Sequence, residues 1–208
     1  MNHMKTYKDE DGCKVRMAMQ QEMEAITKSV MTCTRCELYK TRTHAVAGEG
    51  TITSPLLFIG EAPGHHEDMQ GKPFVGKAGN ILDELLASIG LNRHDIYITN
   101  ILKCRPPQNR NPLKSEISAC SIYLEKQLEC IQPKILVPLG NFATAYLFEK
   151  FGLHFTRISD VCGKLYRVTT LSGTTTIAPL YHPAVVTYDS SKKAQLLKDM
   201  EALKSALP

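Results

Sequence analysis

Apolar and polar positions alternate along the chain in two periods, which predict an ordered series of strands and helices. Short apolar runs predict buried strands at residues 56–61, 95–100, 134–140, 166–171 and 175–181, the last two joined through Gly173. Apolar residues three or four positions apart predict helices at residues 16–31, 77–89, 114–130, 141–150 and 191–206. Because strands alternate with helices, we expect an α/β fold with a parallel sheet covered on both faces.

The chain has the size and composition of one globular domain. It has 208 residues, of which 43% are hydrophobic and 22% charged. No internal repeat or Gly/Ser linker divides it, so we predict a single domain at residues 15–208. Residues 1–14 are expected to form an N-terminal tail, in which the segment before Met4 resembles a cloning remnant.

The apolar runs and the cysteines bear on where the protein works. The longest runs, residues 56–59 and 135–139, are too short to span a bilayer, and we recognise no secretory signal. We therefore expect no membrane partner and a cytoplasmic location. Seven cysteines in such a chain favour thiols or metal ligands over disulfides. The net charge of +4 is compatible with a polyanionic partner but does not require one.

Four of the cysteines have the spacing of a metal site. Cys33 and Cys36 form a C-x2-C pair, and Cys104 and Cys120 follow with fifteen residues between them. Four thiolates can bind either one zinc ion or a 4Fe–4S cluster, and the ligands alone do not distinguish the two. The loop between Cys104 and Cys120 is rich in proline and contains Arg105 and Arg110. It could be an ordinary solvated loop, but we favour a surface that faces nucleic-acid phosphates.

Unusual polar residues follow three of the predicted strands. Glu61 lies in a GEAPG turn, Asn100 ends the second strand, and His182 precedes a proline after the last strand. Chemistry in parallel sheets collects at the carboxyl ends of the strands, so these three side chains are candidates for one site. Neither a Walker A sequence nor a GxGxxG fingerprint is present, which excludes the two commonest glycine-rich phosphate loops.

Several motifs together resemble a known family. The sequence contains, in order, GEAPG followed by ED, then GKPFVGKAG, TNILKCRPPQNR and HPA. From about residue 30 onward the chain resembles family 4 of the uracil-DNA glycosylase superfamily, its iron–sulfur branch, and the four cysteines match the cluster ligands. The resemblance implies a 4Fe–4S cluster rather than zinc. It also implies a three-layer α/β/α sandwich around a four-stranded parallel sheet, and an enzyme that removes uracil from DNA in base excision repair.

The resemblance assigns roles in reading the base. Phe74 is expected to stack on a flipped-out uracil, since aromatic stacking contributes about 1–3 kcal/mol per base. Asn100 is expected to hydrogen-bond O4 and N3–H of uracil, a pattern that cytosine reverses. Glu67 is expected to exclude the methyl group of thymine by its volume. Gly60 and Ala62 are expected to line the same pocket.

The resemblance also assigns catalytic and DNA-contacting residues. His182 is expected to hydrogen-bond uracil O2 as negative charge develops on the departing base. The position after Glu61 lacks the carboxylate that the best-known branch has there, so we assign water positioning or sugar-cation stabilisation to Glu61. Val185 and Val186 are candidates for an apolar wedge that fills the hole left by the base. Uracil-containing DNA and free uracil are the expected partners of a monomer.

Three alternatives remain open at this stage. A non-enzymatic, metal-stapled nucleic-acid-binding module would explain the cysteines and the basic loop, but not Glu61, Asn100 and His182 around a Phe loop. An electron-transfer protein would need a reversibly reducible cluster. A superfamily relative that forms a covalent link to the abasic sugar carries a nucleophilic His in an insertion that is missing after Asn100.

Overall fold

The computed structural model describes residues 3–170 and 173–207. Within these residues the helices are α1 His3–Met31, α2 His65–Gln70, α3 Lys77–Ser88, α4 Lys114–Ile131, α5 Gly140–Lys150, α6 Ile158–Val161 and α7 Lys192–Ser205. The strands are β1 Glu49–Gly50, β2 Leu56–Gly60, β3 Tyr97–Asn100, β4 Ile135–Pro138, β5 Tyr166–Thr170 and β6 Gly173–Ile177. Short 3-10 turns cover Glu37–Lys40, Arg93–Asp95, Pro107–Asn109 and Pro183–Thr187.

The described strands form one mixed sheet in the order β1-β3-β2-β4-β6-β5. Strands β3, β2, β4 and β6 are parallel to one another and form the centre of the sheet. The edge strands β1 and β5 are antiparallel to β3 and β6. The predicted four-stranded parallel sheet is therefore the core of a six-stranded one. The end of the predicted strand at 166–171 includes Leu171, which lies outside the described residues.

Helices cover both faces of the sheet, which confirms the three-layer α/β/α prediction. Alternate residues of β2 explain the two layers, because Leu57 and Ile59 pack in one core and Leu56 and Phe58 in the other. The first core takes its helical residues from α1, α4, α5 and α6. The second takes them from α3 and α7. Both faces of the central strands are thus buried, as near-continuous apolar strands require.

Helix α1 is longer than its periodicity predicts. Its apolar face holds Met23, Ile26 and Val30 against the core and against α4. The helix begins at His3, so most of the predicted tail at residues 1–14 is helical. Within the described part of the chain, no helix is both long enough and apolar enough to cross a bilayer.

Candidate active site

The carboxyl edge of the parallel strands carries one cavity of about 350 Å³. Gly60 and Asn100 are register partners at the ends of β2 and β3, and a bridge between Leu139 and Leu180 extends the parallel pairing beyond β4. This geometry brings Glu61, Asn100 and His182 to the same cavity, together with Phe74 and Glu67. The three strand ends that the sequence singled out therefore meet.

Asn100 offers its side-chain amide to this cavity. The residue is only 2% exposed, and its amide has no hydrogen-bond partner among the described residues. Its amide atoms are not among the buried unpaired ones of the described residues, so water in the cavity can reach them. An amide kept in this state can donate to and accept from a planar ring that has a matching edge.

Gly60 makes room for this arrangement. A Cβ atom at this position would overlap the Oδ1 atom of Asn100 and would lie 2.7 Å from the Phe74 ring. Any larger residue would therefore displace the amide, the ring or both. Gly60 shapes the cavity by lacking a side chain.

Phe74 is held in a strained backbone conformation. Its φ is 51°, a value that is uncommon for a residue with a side chain. Arg93 binds the carbonyl oxygens of Pro73 and Phe74 through its guanidinium, which also pairs with Asp83 at 2.6 Å. The Phe74 ring lies 5.7 Å from the His182 ring, with 26° between the ring planes. The loop thus presents a fixed aromatic face to the cavity.

Glu67 binds the backbone of this loop. One carboxylate oxygen accepts hydrogen bonds from the N–H groups of Val75 and Gly76, both at 2.9 Å, and the other accepts one from Gly64 at 3.1 Å. Glu67 also lines the cavity. Its carboxylate therefore fixes the two residues that follow Phe74 while its bulk narrows the cavity.

The tautomer of His182 follows from one hydrogen bond. Its Nδ1 accepts the backbone N–H of Ala184 at 3.2 Å, so Nδ1 carries no proton and the neutral ring carries its proton on Nε2. Burial lowers the pKa of His182 to about 4, although the charge of Glu67 opposes this shift. At neutral pH the ring is an uncharged donor through Nε2–H.

Glu61 lies in the wall between this cavity and a neighbouring groove. Burial raises the pKa of its carboxyl above the ordinary value of 4.5. Its side chain has no hydrogen-bond partner among the described residues, so the carboxylate is available to a water molecule or a cationic group. Ala62 follows it in the cavity wall and adds no second carboxylate.

The four spaced cysteines surround a second, smaller cavity. Cys104 and Cys120 are buried, whereas Cys33 and Cys36 are half-buried. Arg42 donates to the sulfur of Cys104 at 3.1 Å, and the N–H of Lys103 donates to that of Cys120 at 3.3 Å. Hydrogen bonds to sulfur of this kind tune thiolate ligands of iron–sulfur clusters.

The chemistry of this donor set fits a thiolate-bound metal centre. The cavity lining includes Cys33, Cys36, Cys104 and Cys120. Four thiolates of this kind can bind either one zinc ion or a 4Fe–4S cluster. Burial raises the pKa of Cys104, and raises that of Cys120 to about 11. A bound cationic centre would hold both as thiolates.

The two arginines of the loop after Cys104 are partly engaged within the protein. Arg105 donates to Asn109 at 2.7 Å and contacts His65 Nδ1 at 3.1 Å. Arg110 forms a two-pronged pair with the buried Glu116, at 2.6 and 2.9 Å. Because this pair compensates its charge, Arg110 is less suited to a phosphate than Arg105. Contact with DNA stays a prediction for both.

The turn after His182 differs from its predicted use. Val185 is 9% exposed and packs in the core, and Val186 is half-buried against it. This placement argues against Val185 as a side chain that contacts DNA. The exposed side chain here is Tyr188, at 79%. Sequence reasoning missed it because two valines resemble an apolar wedge more closely than a tyrosine.

Lys103 is a second residue that sequence reasoning missed. It is 1% exposed, and its Nζ donates to Thr99 Oγ1, the Asn100 carbonyl and Gln127 Oε1. A lysine between Leu102 and one of the four spaced cysteines is a signal that could have pointed to it. Lysine in such a setting is buried only when its ammonium group is fully hydrogen-bonded.

Comparison with known proteins identifies the relatives of the chain. The profile of the uracil DNA glycosylase superfamily matches residues 47–204. The chain is 45% identical over 183 residues to the type-4 uracil-DNA glycosylase of Archaeoglobus fulgidus, across 88% of this chain and 92% of the relative. It is 44% identical to the type-4 enzyme of Saccharolobus solfataricus, across 89% and 86% of the two chains. For that of Sulfurisphaera tokodaii the identity is 43%, across 88% and 83%.

Proposed function

Because the chain belongs to the uracil-DNA glycosylase superfamily, in its type-4 branch, we propose that it hydrolyses the N-glycosidic bond of deoxyuridine in DNA. The products are free uracil and an abasic site, the first intermediate of base excision repair. The observation that carries this proposal is one cavity lined by Asn100, His182 and Phe74. An amide, an uncharged imidazole donor and an aromatic face are the groups that recognition and release of a flipped pyrimidine need.

The chemistry can be assigned group by group. Phe74 stacks on the extruded uracil, and Asn100 pairs with O4 and N3–H. As the N1–C1′ bond breaks, its electron pair moves onto the uracil ring, and Nε2–H of His182 donates to the anionic O2. The oxygen of a water molecule bonds to C1′, and the Glu61 carboxylate orients that water and accepts its proton. A raised pKa suits Glu61 to this task.

Base selectivity has two sources in this proposal. The Asn100 amide rejects cytosine, whose donor and acceptor are exchanged at the same edge. Glu67 rejects thymine because its side chain and the loop that it binds fill the space beside C5. Gly60 and Ala62 complete the pocket.

We further propose that Cys33, Cys36, Cys104 and Cys120 bind a 4Fe–4S cluster. The cluster would fasten the segment after α1 to the loop that begins at Cys104 and to α4. Visible absorption of the freshly purified protein, with iron and sulfide analysis, tests this. About four irons and four sulfides per chain support the proposal, and one zinc ion per chain contradicts it.

The protein is proposed to act as a monomer in the cytoplasm. A single chain supplies every pocket group, and the spacing of the four clustered cysteines suits metal binding rather than disulfides, which fits a reducing compartment. Light scattering of the purified protein tests the oligomeric state. Fractionation of cells that express it from its own locus tests the location.

One assay tests the activity directly. An oligonucleotide with a single deoxyuridine is incubated with the protein and then heated in alkali, which cleaves DNA at abasic sites. We expect one break, at the uracil position, and none in matched oligonucleotides with cytosine or thymine there. Binding without a break would contradict the proposal and would leave only a DNA-binding module.

A further inference from the structure

A groove of about 360 Å³ lies directly beside the proposed uracil pocket. The two cavities share three residues, Glu61, His182 and Ala184. A nucleotide in the pocket would therefore have its sugar beside Glu61 and its phosphates at the border between the two cavities. The next nucleotide of the same strand is joined through one of these phosphates, so its base lies within reach of the groove.

Aromatic rings form the far side of the groove. Phe142 and Tyr181 are half-buried there, and Tyr188 stands at its edge. At 79% exposure, Tyr188 is the most exposed large hydrophobic side chain in the described part of the chain. An exposed ring gains little in the free protein, but a tyrosine has only two side-chain torsions, so ordering it on a ligand costs little entropy.

A lysine lies beside the groove, whose own lining includes, among the described residues, the carboxylate of Glu61 and no lysine or arginine. Lys192 places its Nζ 5.1 Å from the centre of the Tyr181 ring. Lys192 forms no ion pair with any other described residue. Its neighbour Lys193, in contrast, is paired with Glu84 at 2.5 Å. An uncompensated ammonium group beside an aromatic groove suits a nucleotide, which has a phosphate next to a planar base.

We propose that this groove binds the nucleobase directly adjacent to the flipped uridine in the same strand, with Tyr188 stacked on that base. Removal of uracil from the stack deprives its neighbour of a stacking partner, and the Tyr188 ring replaces it. The inference rests on the proposed glycosylase function and extends it to a second base. Because the contact lies within one strand, it operates in single-stranded and double-stranded DNA alike.

A double-mutant cycle tests the contact: Tyr188 is changed in the protein, and one flanking base is removed from the substrate. The parent and Tyr188→Ala are assayed on a single-stranded oligonucleotide with one deoxyuridine. Two further oligonucleotides replace the base on its 5′ or 3′ side by a stable abasic sugar. We expect kcat/KM of the parent to fall about tenfold on one of these two, mainly through KM. On the complete oligonucleotide, kcat/KM of Tyr188→Ala should be lower than that of the parent by a similar factor. On the abasic oligonucleotide that slows the parent, kcat/KM of Tyr188→Ala should fall no further.

The matched variant Tyr188→Phe keeps the ring and should behave as the parent. If the losses from Tyr188→Ala and from base removal multiplied on both abasic oligonucleotides, the proposal would be overturned. A parental kcat/KM of Tyr188→Ala on the complete single-stranded oligonucleotide would also overturn it. Uracil release by the parent from the complete oligonucleotide tests the glycosylase function separately. The two ideas can therefore fail independently.

Fluorescence provides a readout that does not depend on turnover. The chain contains no tryptophan, so Tyr188→Trp introduces a single reporter. The variant is titrated with an oligonucleotide that carries a stable abasic sugar in place of deoxyuridine, and saturation is followed by anisotropy of a labelled strand. We expect quenching when the flanking bases are present and none when the stacked one is removed. Unchanged emission at saturation would overturn the proposal.

Discussion

Asn100 and Lys103 are buried polar residues three positions apart at the end of the same strand, and their hydrogen bonding is opposite. The ammonium group of Lys103 donates three hydrogen bonds, at 2.6, 2.7 and 2.9 Å. The side-chain amide of Asn100 makes none among the described residues. Gln127 completes the lysine network by donating to the Ala47 carbonyl at 2.8 Å.

The difference separates a supporting region from a binding region. A saturated network holds its residues in one arrangement, whereas polar groups that face a cavity stay free to pair with a ligand. Lys103 also binds the Asn100 carbonyl, so the supporting region positions the binding one. Substitutions in the pocket should therefore change activity at constant stability, and those in the network should change stability first.

His182→Ala should have the largest effect. Loss of the Nε2–H donor removes stabilisation of the anionic O2, and kcat should fall about 10²- to 10³-fold. The midpoint of urea unfolding at pH 7 should stay near that of the parent, and DNA binding should persist. His154→Ala, at an exposed position, is the matched control. A parental turnover rate in His182→Ala would mean that the pocket lies elsewhere.

Asn100→Asp should chiefly change selectivity. An aspartate cannot donate to uracil O4, but it can accept from the amino group of cytosine. We expect the preference for uracil over cytosine to fall by roughly a hundredfold. The variant loses the hydrogen bond to uracil O4, and it gains one from the amino group of cytosine. Paired oligonucleotides that differ only at this base measure the ratio. An unchanged ratio would remove Asn100 from base recognition.

Lys103→Met should act on stability. The substitution keeps an unbranched side chain as far as the ε position but leaves Thr99, Gln127 and the Asn100 carbonyl without their donor. The free energy of unfolding should fall by roughly 2 kcal/mol, measured by urea titration. Lys126→Met, at an exposed position of α4, should change it by less than about 0.5 kcal/mol. If Lys103→Met and Lys126→Met had the same free energy of unfolding, Lys103 would not support the fold through its hydrogen bonds.

Glu61→Gln should have the smallest effect at neutral pH, about tenfold in kcat, and a larger effect on pH dependence. Burial raises the Glu61 pKa, so protonation removes the negative charge as pH falls toward and below that value. The parent should lose activity on this acid limb, and the variant should not. His182 stays neutral through this range because its own pKa is about 4.

Protonation of Glu61 should affect stability and activity in opposite directions. A carboxyl with a raised folded-state pKa binds its proton more tightly in the folded protein, so the folded state gains from Glu61 as pH falls through that pKa. Urea unfolding of the parent and of Glu61→Gln across pH 4.5–7 should show this difference. If the free energy of unfolding changed with pH in the same way in the parent and in Glu61→Gln, Glu61 would not be buried in solution.

The sequence was sufficient for the centre of the fold because each central strand is an apolar run between turn residues. It did not predict the edge strand β1, because Glu49 and Gly50 are both exposed and show no alternation of apolar residues. The site was predictable in outline, since polar residues at the ends of parallel strands converge by geometry. The orientation of a side chain within a turn was not, as Val185 and Tyr188 show.

Contacts between segments that are distant in the sequence were the second feature that could not be predicted. The bonds from Glu67 to Val75 and Gly76 depend on how two turns fold together, and no local pattern records this. The network of Lys103 joins residues from β3, α4 and the segment before β1. Hydrophobic periodicity describes burial, and it carries no information about which buried polar groups pair.

The missing side chain of Gly60 limits how the enzyme can be redesigned. Attempts to retarget such an enzyme to another damaged base usually start by enlarging or filling its pocket, and a screen of all twenty residues at this position would find no tolerated replacement. Variation must instead enter through Asn100, which changes the base edge that is read, or through the loop of Phe74. The route by which selection or engineering can reach a new specificity is therefore narrow.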